Sequence, residues 1–102
     1  MGNHEHKILE NKEIVEFTKN NPEWSFYNNR LVASFKLSDF TTAIKVINEL
    51  AVTAERLDHH PKMTNTYNVL EFSLCTDSQG ESVTQLDIEL AKSISSIVNS
   101  YL

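Results

Sequence analysis

The chain has 102 residues, 40% of them hydrophobic and 23% charged, a composition that suits one small globular domain. No apolar run approaches membrane-spanning length, and a formal charge of −5 with nine scattered Lys and Arg argues against a general nucleic-acid binder. The single cysteine, Cys75, rules out an intrachain disulfide and a Cys-rich metal site.

Residues 1–10 read as a polar, mobile arm on a single domain spanning 1–102. The first residues lack the apolar core of a signal peptide, so a cytoplasmic protein is expected. Asn11 is the expected cap of a helix over 12–20, with Ile14 and Phe17 on one face, and Asn21-Pro22 ends it. Trp24 and Phe26 alternate into a first strand, Asn28-Asn29 suit a tight hairpin turn, and Leu31, Ala33, Phe35 and Leu37 form the buried face of a second strand. Ser38 is the expected cap of the longest helix, whose stripe is Phe40, Ala43, Ile44, Ile47, Leu50, Ala51 and Ala54. Two further strands are expected over 65–69 and 71–76, with Phe72 and Leu74 on one face and Tyr67 packed in the core. A capping box from Ser82 to Gln85 then opens a last helix striped by Leu86, Leu90, Ile94, Ile97 and Val98. The order α-β-β-α-β-β-α predicts an α+β fold, a four-stranded antiparallel sheet with helices packed on one face.

The longest helix carries the chemistry at its end, where Glu55-Arg56-Leu57-Asp58-His59-His60-Pro61 gathers carboxylates and imidazoles. Residues four apart share a helix face, so Glu55 and His59 are expected to project together with Asp58 beside them, and Pro61 to stop the helix. Imidazoles flanked by carboxylates suit proton transfer near neutral pH. The same pair at a helix C-terminus also suits simple capping of carbonyls. A metal site on His59, His60 and the carboxylates is the weaker option, since adjacent histidines rarely both reach one ion and His4 and His6 lie in the arm. No metal is expected.

Glu55, His59, His60, Pro61, Tyr67 and Asp87, at these spacings, resemble the signature of the pterin-4a-carbinolamine dehydratases, and the likeness extends through Trp24 and the 35–40 stretch to the residues after Asp87. It implies the α+β fold above, a homodimer or homotetramer, and loss of water from a 4a-hydroxytetrahydropterin to give a quinonoid dihydropterin. That step recycles the pterin used by aromatic amino acid hydroxylases and needs neither metal nor organic cofactor. By the same resemblance His59 and His60 share the proton transfers. Glu55 and Asp58 bind the polar pterin edge or hold the histidine tautomers, Cys75 and Thr76 offer backbone contacts, and Asp87 is a candidate contact in the first turn of the last helix. One position departs from the pattern: Asp77 stands where the family has a third histidine, and the loop from Asp77 to Asp87 is about one residue longer. A carboxylate with an ordinary pKa near 4 is a poor acid at neutral pH and can still serve as a base, so slow dehydration is expected. The alternative is a catalytically weak or inactive member acting as a pterin-binding or dimerisation-cofactor module, as some animal members do.

Overall fold

Three helices and four strands follow the predicted order: α1 (Asn11–Asn20), β1 (Ser25–Tyr27), β2 (Arg30–Lys36), α2 (Phe40–Leu57), β3 (Lys62–Thr66), β4 (Val69–Leu74) and α3 (Gln85–Asn99). The computed structural model describes residues 7–77 and 80–102, so His4, His6 and the first part of the expected arm lie outside the described residues. The rest of that segment is held: Leu9 N–H donates to Val83 O at 3.0 Å, and Leu9 packs against the core.

All strand pairs are antiparallel, in the order β1-β2-β4-β3. Side chains alternate across a strand, so the register separates the two faces. Leu31 opposite Leu74 and Ala33 opposite Phe72 face the helices, while Ser34 opposite Glu71 and Lys62 opposite Ser73 face away. Burial follows: Leu31, Leu70, Phe72 and Leu74 join Leu50, Leu90, Ile94 and Val98 in one core. Each such leucine contributes roughly 1.5–3 kcal/mol on full burial.

Both hairpins use two-residue turns. Asn28 and Asn29 both adopt positive φ, 51° and 61°, as a tight I′-type turn requires and as the Asn-Asn pair predicts. The second turn is a correction. Tyr67 and Asn68 form it, Tyr67 at φ 53°, so the strands run over Lys62–Thr66 and Val69–Leu74 and Tyr67 is exposed, not packed in the core. Neighbouring amides clamp the turn in place of glycine. Asn65 Nδ2 donates to Tyr67 O and Val69 O, and Asn68 Nδ2 donates to Leu37 O at 2.9 Å.

Helix starts also differ by one or two residues. Glu10 caps α1 in place of Asn11, its N–H donating to Glu13 Oε1 at 2.9 Å. Asp39 caps α2 in place of Ser38, because its Oδ1 reaches Thr42 N–H at 2.8 Å. Thr84, not Ser82, opens α3. On α2 the buried positions are Ala43, Val46, Leu50, Thr53 and Ala54, whereas Phe40 and Ala51 are exposed, so the buried stripe is rotated from the predicted one.

Candidate active site

The site begins where α2 stops. At Asp58 the backbone turns left-handed (φ 51°, ψ 44°), Asp58 N–H donates to Glu55 O at 3.1 Å, and His59 N–H reaches back to Ala54 O at 3.0 Å. These two bonds form a Schellman closure, which satisfies last-turn carbonyls without proline; Asp is one of the few residues other than Gly to visit that region routinely. The helix therefore ends at Leu57, before Pro61 can stop it. His59 has left the helical surface, and the expected shared face with Glu55 does not form.

His59 turns instead to the start of α3, its Nε2 lying 2.6 Å from Asp87 Oδ1. His60 turns back to α2, its Nε2 lying 2.5 Å from Glu55 Oε1. Two adjacent imidazoles are thus each paired with a carboxylate, in unlike settings. The His59 side chain is 11% exposed and Asp87 fully buried, whereas His60 and Glu55 are 59% and 76% exposed.

A buried carboxylate is costly unless its lone pairs are met. Asp87 meets this requirement through α3's own start: Thr84 N–H donates to Asp87 Oδ2 at 2.9 Å in a reciprocal capping box, at the helix end whose dipole favours an acid. Thr76 Oγ1 donates to the same oxygen at 2.8 Å, and the Thr76 and Thr84 hydroxyls lie 2.8 Å apart. No buried side-chain polar atom among the described residues lacks a partner. Thr84 is absent from the predicted site, although a Thr-x-x-Asp spacing before an apolar stripe is its sequence signal.

Three predicted residues follow β4. Thr76 engages both its backbone N–H and its C=O with Ser82, and its hydroxyl with Asp87. The Cys75 thiol donates to Asp77 Oδ1 at 3.4 Å. Burial first, and then that hydrogen bond, push the thiol up to about 11, so Cys75 stays a thiol at neutral pH and is no nucleophile. Asp77 is exposed, and no hydrogen bond joins it to His59 or His60. Nearby, Arg30 pairs with Glu81 at 2.9 Å. Of the two carboxylates expected to bind the pterin edge or hold the histidines, Glu55 pairs with His60, whereas Asp58 is the exposed left-handed residue of the cap and it is Asp87 that pairs with His59.

Among the described residues no cluster of three or more His, Cys, Asp or Glu could hold a metal ion. A concavity of about 470 Å³ opens on the uncovered sheet face, lined by Val32, Ser34, Lys62, Glu71 and their neighbours. It contains no imidazole and none of the predicted site residues, so its size says nothing about acid–base chemistry.

Comparison with known proteins gives the family of the chain. The family model described as pterin 4 alpha carbinolamine dehydratase matches residues 7–97. A provisionally named pterin-4-alpha-carbinolamine dehydratase from Prochlorococcus marinus is 38% identical over 93 residues, covering 91% of this chain and 96% of the relative. One from Chloroflexus aurantiacus is 36% identical, covering 88% and 96%. The crystal structure of a transcriptional coactivator/pterin dehydratase from Brucella melitensis superposes with a TM-score of 0.85 at 34% identity, over 90% of this chain and 99% of that one. Matched in sequence and in fold along nearly its whole length, the chain belongs to the pterin-4a-carbinolamine dehydratase family.

Proposed function

We propose that the protein dehydrates a 4a-hydroxytetrahydropterin to the quinonoid dihydropterin, with His59 and His60 as its acid–base groups, and so recycles the pterin of aromatic amino acid hydroxylases. The observation that carries this reading is the pair of adjacent imidazoles, each beside its own carboxylate at 2.6 and 2.5 Å. The C4a–O bond breaks with its electrons leaving on oxygen, and that oxygen takes a proton from one ring and departs as water. The neighbouring ring nitrogen gives its proton to the other ring, and the freed N–H pair closes the C=N bond. One proton is given and one taken, so no external acid, metal or oxidant enters. Asp87 and Glu55 orient the two rings, and Asp58 and the Cys75 backbone remain as contacts for the polar pterin edge.

In this reading Asp77 is the weak point, because its carboxylate is turned to Cys75. Asp77→His is expected to raise the turnover number at least about tenfold, short of the roughly 10²–10⁴-fold that a fully positioned acid–base group supplies. Stopped-flow absorbance of freshly generated 4a-hydroxytetrahydropterin reads both claims. If the wild-type chain does not exceed spontaneous dehydration, the dehydratase reading falls. If folded Asp77→His is no faster than wild type, Asp77 is not what limits the chemistry.

A second reading, an interaction module on the same scaffold, is supported by Phe40 and Val52, which are 48% and 68% exposed on α2. A homodimer or homotetramer could cover the same side chains. His60→Ala separates the readings, since an assembly module would be indifferent to it.

A further inference from the structure

Two buried hydroxyls beside Asp87, those of Thr76 and Thr84, have no task in the proposed reaction. Their protons can be placed one by one. Thr76 Oγ1 spends its only proton on Asp87 Oδ2, so towards Thr84 it can only accept. Thr84 Oγ1 therefore donates to Thr76, while it accepts Leu86 N–H at 3.3 Å. Every proton in the chain Thr84, Thr76, Asp87 points the same way, an arrangement in which each bond polarises the next.

The consequence falls on Asp87. Rotation of a carboxylate about its last torsion is soft and broad. Here Oδ2 is held by two donors, Thr76 Oγ1 and Thr84 N–H, which aims Oδ1 at His59 Nε2 as an acceptor. His59 Nε2 then carries the hydrogen, and Nδ1 is left bare. No hydrogen bond meets Nδ1 among the described residues.

We propose that Thr76 and Thr84 are positioning residues which, through Asp87, hold His59 as its Nε2–H tautomer and present Nδ1 as the nitrogen that exchanges a proton with the substrate. Capping alone does not account for the pair. Thr84 caps α3, but among the described residues the Thr76 hydroxyl caps nothing and meets only Thr84 and Asp87. Thr76 is therefore the residue to change.

The test is long-range ¹H–¹⁵N correlation of the His59 ring nitrogens in the free protein, beside steady-state rates. Wild type is expected to show the neutral ring protonated at Nε2. Thr76→Val, which keeps the shape and removes the hydroxyl, should show both tautomers and a kcat about tenfold lower, with KM within about twofold. Thr76→Ser should restore both readouts. A wild-type ring protonated at Nδ1 overturns the proposal with no variant needed, and so does a folded Thr76→Val with wild-type tautomer and rate. If Thr76→Val does not fold, the wild-type spectrum and that of Thr76→Ala decide in the same way. The inference rests on the dehydratase reading for its rates alone. The expected tautomers without any dehydration would keep the positioning and overturn the reaction.

Discussion

His59→Ala and His60→Ala are both expected to lower the dehydration rate by about 10²–10⁴-fold, the range for a positioned acid–base group, yet they should differ sharply in stability. Removing His60 breaks an exposed pair with Glu55, worth at most about 1 kcal/mol, so that variant should melt near wild type. Removing His59 strips Oδ1 of the fully buried Asp87 of its partner. Leaving a buried acceptor without its donor costs about 1–3 kcal/mol, and more for a charged carboxylate, a sizeable share of the roughly 5–15 kcal/mol that holds a domain together. Thermal unfolding and stopped-flow rates on the same two samples check this. Full activity in folded His60→Ala would remove that residue from the chemistry, and an unchanged midpoint in His59→Ala would show that water reaches Asp87 after all.

The element order and the Asn28-Asn29 turn are legible in the sequence because each rests on local signals: alternation in β2, helical spacing in α2 and α3, and two residues that tolerate positive φ. The turn at Tyr67-Asn68 is not legible in that way. An aromatic residue reads as strand, and the side chains that hold it left-handed, Asn65 and Asn68, take part in a tertiary arrangement that includes Leu37 O, 31 residues away. The site shows the same division. His59, His60, Glu55 and Asp87 stand out as residue types at a spacing, but their pairing does not, because it depends on one backbone event at Asp58. Continuing the helix through Asp58 places Glu55 and His59 on one face. The Schellman closure sends His59 to Asp87 and leaves Glu55 to His60. Thr84 is hidden in the sequence because Ser82 and Gln85 offer a competing capping box two residues earlier, and the choice between them is made by where the buried carboxylate must sit.

The position of that carboxylate depends on how firmly α3 is held to the sheet, and Trp24 ties the two together. It is 1% exposed, packs edge-on against Phe35 with ring centroids 6.1 Å apart and tilted against Phe72 at 6.5 Å, and donates its indole N–H to Ser95 Oγ at 2.9 Å. Ser95 lies eight residues after Asp87 on the same helix, about 12 Å along its axis. Trp24→Ala is expected to cost about 3–5 kcal/mol from the cavity, with the lost hydrogen bond as a smaller addition. For a domain of this size that corresponds to a fall in the melting midpoint on the order of 20 °C. Trp24→Phe keeps most of the ring contact and loses the bond to Ser95, so its cost should be about 1–2 kcal/mol. The pair of midpoints from thermal unfolding separates ring packing from the hydrogen bond. If Trp24→Ala melts within about 5 °C of wild type, the sheet-to-α3 contact is carried elsewhere. If Trp24→Phe costs as much as Trp24→Ala, the Ser95 bond, and not the packing against Phe35 and Phe72, is what fixes α3 and with it Asp87.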